Sequence, residues 1–182
     1  MPQQHKCFSV SRNYMPSGSM PMSIIHLQTV IKAPIEVCFD LSRSIELHKL
    51  STAHTNETAI AGKTTGLCES GDTITWRAKH FGIYQKLTVE VTKCTYPNYF
   101  EDQMVRGAFK SFVHQHHFRP VQEGTLMEDI FDYVVPFGLV GKWFDKIILN
   151  TYMTNLLVKR NETIKKAAES SVWRTVLPEK GT

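Results

Sequence analysis

Apolar and polar residues alternate with a period of two through most of this chain, then change to a helical period near its C-terminus. In residues 24–32, Ile25, Leu27, Thr29 and Ile31 fall on one side, which predicts a first strand. Ala33-Pro34 then opens a short helix whose apolar side is Ile35, Val37, Cys38, Phe39 and Leu41. Pro34 stands near the first helical position, where its missing N–H costs least. A second helical piece follows over 44–51, and Gly62 and Gly66 bracket a turn-rich stretch. After the tight turn Ser70-Gly71-Asp72, strand follows strand. Residues 73–80 place Ile74, Trp76, Ala78 and His80 on one face, and 84–94 place Leu87, Val89 and Val91 inward. In 99–106, Phe100, Asp102, Met104 and Arg106 share a face; 109–119 and 125–135 complete the series, with a turn at Gln122-Glu123-Gly124 between them. Short turns between consecutive strands predict an antiparallel meander.

The last element is longer. Val135-Pro136-Phe137-Gly138 reads as a strand end and turn, and from 139 to 170 there is no proline and no glycine beyond Gly141. That length allows about eight helical turns. The apolar residues shift around this helix: Leu139, Val140, Trp143, Phe144, Ile147 and Ile148 lie mostly on one side. Leu149, Tyr152, Met153, Leu156 and Leu157 lie on another, which predicts two packing surfaces or a bend. Gly138 and Gly141 stand where a turn, or a hinge gating a cavity, is expected. The order β-α-α-β(n)-α predicts an α+β domain, with a curved antiparallel sheet wrapped around a long C-terminal helix.

With 182 residues, the chain is long enough for one well-cored domain with tails. Residues 1–23, with Gln3-Gln4, Ser17-Gly18-Ser19 and prolines at 2, 16 and 21, read as a disordered tail; 24–170 form the domain and 171–182 a C-terminal tail. The formal charge of +4 is modest. Lys142, Lys146, Lys159, Arg160, Lys165 and Lys166 concentrate positive charge on the last helix, and a solvated face explains it better than nucleic acid or an anionic membrane does. No RNA-binding motif is present, and no run approaches the ~20 apolar residues of a membrane span. Cys7, Cys38, Cys68 and Cys94 are far apart and form no CxxC pair, and the N-terminus has no secretory pattern. A reducing cytoplasm is the expected compartment.

The chemistry lies in ionisable residues on faces that otherwise read as buried. His80 shares a face with Trp76, Asp102 stands between Phe100 and Met104, and His114 and His116 lie between Phe112 and Phe118. Asp129 lies between Met127 and Phe131, with Tyr133 beyond. A turn at Gln122-Glu123 sets His116 opposite Asp129, or His114 opposite Asp129 if it shifts by one residue. Three roles fit this cluster: a polar network pinning register, a ligand-recognition or acid–base group, and a metal site. The metal motif is the weakest of the three, so no metal or other cofactor is assigned. No Ser-His-Asp order, phosphate loop or dinucleotide fingerprint occurs, and whether the chain is an enzyme stays open.

The string Ile31-Lys32-Ala33-Pro34-Ile35-Glu36-Val37 resembles the strand–Ala-Pro–helix opening of the START-like helix-grip (SRPBCC) superfamily. Trp76-Arg77-Ala78-Lys79-His80-Phe81-Gly82, Phe100-Glu101-Asp102-Gln103-Met104 and Tyr133-Val134-Val135-Pro136-Phe137-Gly138 resemble a polyketide cyclase/dehydrase-like bacterial subgroup of unassigned function. The resemblance covers about residues 24–170 and implies an apolar cavity between sheet and long helix. It carries over no catalytic residue. A small hydrophobic ligand, lipid-like or aromatic, is the implied partner. The expected contacts are His80, Asp102, Arg106, His114, His116 and Asp129 for polar groups, with Trp76, Tyr133, Trp143 and Phe144 as wall. The alternatives are a cyclase-, dehydratase- or lyase-type enzyme moving protons through His114 or His116 with Asp129, and a co-chaperone-like interaction protein whose own side chains fill the pocket.

Overall fold

The structure, a computed structural model, describes residues 22–136 and 143–177. Seven strands are present: β1 (Met22–Ile31), β2 (Thr58–Gly62), β3 (Thr73–His80), β4 (Ile83–Thr95), β5 (Tyr99–Arg106), β6 (Ser111–Val121) and β7 (Gly124–Val134). They form one antiparallel sheet in the order β1-β7-β6-β5-β4-β3-β2, with β1 and β2 as its free edges. Between those two edges in the chain come α1 (Ile35–Ser42) and α2 (Ile45–Ser51). Ser44 caps α2 by accepting the Leu47 N–H through its side chain. The C-terminal helix α3 (Asn150–Ala168) is continued backward by a π-helical segment, Asp145–Leu149, and followed by the single turn α4 (Trp173–Val176).

Six of the strands follow the alternation. β2 was not legible because it is an edge strand with four exposed residues of five, so it carries no two-residue period. α4 falls in the stretch that composition assigned to a tail, and Trp173, Val176 and Leu177 pack on the core beside Phe39. Most of the expected N-terminal tail, the helix start at Leu139, and the hinge glycines Gly138 and Gly141 lie outside the described residues.

The core has two parts. One surrounds Phe39, which is fully buried and meets Tyr96, Phe100 and Phe118 edge-on, with Ile164 and Ala167 of α3 above it. The other follows the sheet from Ile25 and Trp76 to Phe131 and reaches α3 at Leu157. Between them the helix approaches the sheet through polar residues. Arg160 and Asn161 are buried at the positions where the Leu157–Ile164 stripe turns inward.

The apolar shift along the helix coincides with the π-helical segment. A π turn changes the facing of everything before it. Asp145 is therefore the buried residue there, while Trp143 (73 % exposed), Ile147 and Ile148 face outward. Trp143 is no wall residue in this arrangement. Asp145 instead accepts hydrogen bonds from Ser23 and from the Tyr133 hydroxyl, both at 2.5 Å.

Candidate functional site

The sheet and the faces of α2 and α3 turned toward it enclose a cavity of about 790 Å³. Its wall is mostly apolar, with Ile74, Trp76, Val89, Phe112, Phe131 and Leu157 on it. The exposed Phe81, Ile83 and Phe144 also border it and mark its rim. Phe81 and Gly82 make the two-residue turn from β3 to β4, both with positive φ (51° and 82°). That is the twist a tight hairpin demands, but an aromatic residue rarely adopts it. Phe81 holds its ring against Tyr152 and Phe144 at this rim.

Two polar groups interrupt the apolar wall. The first is built by strand register. His116 lies opposite Asp129 across β6 and β7, and Asp102 lies opposite His114 across β5 and β6. His116 Nδ1 is 2.6 Å from Asp129 Oδ1, and its Nε2 is 3.2 Å from Asp102 Oδ1. From the helix, Arg160 Nη1 reaches Asp129 Oδ1 at 3.3 Å and donates through Nη2 to the Ser42 carbonyl at 2.9 Å. Asn161 Nδ2 donates to Asp129 Oδ2 at 2.7 Å. Asp129 is completely buried behind the wall, while Asp102, His114, His116 and Arg160 line the cavity.

His114 differs from its neighbours. It is 8 % exposed, its ring centroid is 3.9 Å from that of His116, and Nε2 has no hydrogen-bond partner among the described residues. Asp129 Oδ1 is 3.3 Å from that nitrogen, but not in line with a ring N–H. Burial, helped by the adjacent His116, pushes His114 down to about 4 against the pull of Asp129, so the imidazole is neutral at pH 7. For Asp102, burial alone would raise the pKa, yet the His116 hydrogen bond and surrounding positive charge hold it below the usual carboxylate range. Asp129 shows the same competition with a larger outcome: its imidazole and Arg160 partners overcome burial and hold it well below that range.

The second polar group lies nearer the rim. His80 Nδ1 and the Tyr152 hydroxyl are 2.7 Å apart, and burial lowers the His80 pKa. His48 stacks on Trp76 with centroids 4.2 Å apart, and its Nε2 lies 3.5 Å from Glu57.

Of the residues expected from sequence, Trp76, His80, Asp102, His114, His116 and Phe144 border the cavity. Asp129 and Tyr133 stand behind the wall, buried, and Arg106 is exposed at the end of β5. Tyr133 turns its hydroxyl to Asp145; burial, and then this hydrogen bond, raise its pKa. Tyr133→Phe removes that donor from a buried carboxylate, with an expected cost of about 1–3 kcal/mol in urea unfolding and an unchanged cavity. An equally stable variant would mean that Ser23 alone satisfies Asp145.

His48, Glu57, Asp145, Tyr152, Arg160 and Asn161 were not singled out by pattern. A signal existed for Arg160 and Asn161, since they occupy inward positions of the stripe Leu157, Ile164 and Ala168. Glu101 was also missed. It is 2 % exposed and accepts from Tyr99, Gln103, Thr92, Gln115 and Lys93; against burial, the bonds from Tyr99, Gln103, Thr92 and Lys93 hold it at about 2.

Among the described residues the cysteines Cys38, Cys68 and Cys94 are free thiols, and no helix is long and apolar enough to cross a membrane. No known family profile and no curated protein matches the chain. Solved structures do. TTHA0849 from Thermus thermophilus superposes with a TM-score of 0.61 at 19 % identity, over 81 % of this chain and 99 % of that one. Major latex-like protein 151 from Panax ginseng gives 0.61 at 17 % identity, over 82 % and 99 %. KanY gives 0.62 at 14 % identity, over 83 % and 100 %. With its open seven-stranded antiparallel sheet, two short helices after the first strand and a long C-terminal helix, this chain has the helix-grip fold.

Proposed function

We propose that this protein binds a small, mostly apolar molecule, lipid-like or aromatic, in the cavity between the sheet and α3. The observation that carries the reading is the cavity itself, about 790 Å³ with a largely apolar wall. That lies within the ~300–1,000 Å³ typical of small-molecule sites. Among the described residues, side chains leave this volume open, which favours a binding protein over an interaction module with a plugged pocket. His114 supplies the polar contact. A neutral imidazole with an unengaged nitrogen pairs with a hydroxyl or carbonyl of the ligand and orients it.

A second reading rests on the carboxylate–imidazole–carboxylate chain Asp129–His116–Asp102, whose last member lines the cavity. Such a chain suits a cyclase-, dehydratase- or lyase-type proton transfer. His114 fits it less well, because a base held at about 4 is weak at neutral pH.

Native mass spectrometry of freshly purified protein, compared with its denatured mass, tests occupancy. Displacement of the fluorescent apolar probe 1-anilinonaphthalene-8-sulfonate measures affinity. Val89→Phe extends a wall residue into the cavity. It is expected to weaken the probe by about tenfold or more, with less than ~1.5 kcal/mol lost in stability because the void accepts the added ring. Equal probe affinity in Val89→Phe and the parent, with no excess mass, would sink the binding reading. Turnover of a bound molecule that is lost in His116→Gln would establish the enzyme reading.

A further inference from the structure

Of the three histidines of β6, His114 and His116 stand two residues apart and so point to the same face of the sheet. Register adds Asp102 from β5, directly opposite His114 and one step diagonal from His116. One ligating atom from each of Asp102, His114 and His116 lies within 4.8 Å of the other two. For a zinc-like ion with bonds of ~2.0–2.2 Å, tetrahedral donors stand about 3.3–3.5 Å apart. His116 Nε2 and Asp102 Oδ1 are already 3.2 Å apart. The His114 nitrogen, within 4.8 Å of both, must come closer by side-chain rotation to complete the set.

The surroundings fit the same use. A metal-binding histidine keeps its orientation by donating its other ring N–H to a carboxylate. His116 has that partner in Asp129 at 2.6 Å, and Asp129 is itself fixed by Asn161 and Arg160. Asp129 is thus the outer carboxylate rather than the third ligand that sequence spacing offered, since both its oxygens are engaged. Arg160 directs its charge to Asp129 and to the Ser42 carbonyl. Among the described residues no lysine or arginine forms an ion pair with Asp102, although the Arg160 charge also acts on it; its ion pair is with His116. A network serving only to pin register accounts for His116, Asp102 and Asp129. It leaves buried His114 Nε2 with only a 3.3 Å contact to Asp129 Oδ1 that falls short of a hydrogen bond.

We propose that Asp102, His114 and His116 form a binding site for a divalent first-row transition-metal ion, with Asp129 as the outer-sphere partner of His116. All three ligands line the cavity. The coordination positions they leave therefore face the space where a small molecule would sit, as in three-ligand sites that keep a position open. With the ion bound, His116 Nδ1–H donates its hydrogen bond to Asp129, and Nε2 offers its lone pair to the metal.

The test uses the full chain, treated with a chelator and titrated with cobalt(II), whose visible d–d absorption reports nitrogen–oxygen coordination. Saturable binding of one ion per chain is expected, displaced by zinc. Asp102→Asn and His114→Phe should each weaken cobalt by more than the roughly 10–100-fold that loss of an outer-sphere partner costs. Parent protein without saturable cobalt absorption, or folded variants that bind cobalt as the parent does, would overturn the proposal. Should a variant fail to fold by circular dichroism, proton NMR of the parent decides. Cobalt must shift the ring signals of His114 and His116, and shifts confined to other histidines refute the site. The apolar-probe affinity, measured on the same samples, separates failure of this site from failure of the cavity as a ligand site.

Discussion

Asp129→Ala is expected to lower the stability of this protein by about 3–5 kcal/mol, the range for removing one partner from a buried charge pair. Asp129 is completely buried and serves three side chains at once: His116 from β6, and Arg160 and Asn161 from α3. Truncation leaves the Arg160 guanidinium inside the protein with only the Ser42 carbonyl, and leaves His116 Nδ1 without an acceptor. The loss is therefore larger than one hydrogen bond, and it falls on the contact that holds the helix to the sheet. Asp129→Asn keeps the size and one acceptor oxygen but loses the charge facing Arg160, so an intermediate loss is expected. Urea unfolding followed by circular dichroism measures both. Asp129→Asn and His116→Gln as stable as the parent would show that the cluster has no structural role.

Acid should weaken the fold in two stages. His114 is held at about 4 in the folded protein, whereas an unfolded histidine titrates near ~6.5. Between those values the unfolded chain takes up a proton that the folded chain refuses, so stability falls as pH falls from about 6.5 to about 4. At ~1.4 kcal/mol per unit, this group contributes on the order of 3 kcal/mol across the window. His80, lowered by burial, acts in the same direction. The second stage belongs to the carboxylates. Asp102 and Asp129 lie below their unfolded values, so their stabilisation is complete above the unfolded pKa of ~3.9 and fades as pH falls through the folded ones. Unfolding free energies at several pH values check this. His114→Phe should flatten most of the upper stage, because the ring then has no proton to exclude. A parent protein equally stable at pH 7 and pH 4.5 would contradict a buried neutral His114.

The meander was legible because strand alternation and turn residues are local signals. The Gln122-Glu123 turn, with Gly124 after it, pairs His116 with Asp129, the first of the two registers that the spacing allowed. Gly124 has a φ of 132°, and a Cβ there would lie 2.3 Å from the Ile31 carbonyl oxygen, so the chain passes where a side chain cannot. Faces follow from alternation, and so Trp76, Asp102, His114 and His116 were placed on the inner side before any tertiary contact was known.

What lies across from that face was not legible. A helix stripe shows which residues turn inward but not the partner they meet, because the azimuth and depth of a docked helix are set by contacts many residues away. Arg160 looked like part of a solvated charged face, and Asn161 like nothing in particular, until the helix was placed over Asp129. The π-helical segment decided the facing of Trp143 and Asp145, since one irregular turn changes the phase of the residues before it. Tyr133 and Asp129 proved to stand behind the cavity wall, because a twisted sheet brings only part of its inner face against open space. From sequence alone came the order of elements, the sheet faces and the histidine–aspartate pairing. Tertiary packing alone decided which of those residues border a cavity and which are sealed beneath it.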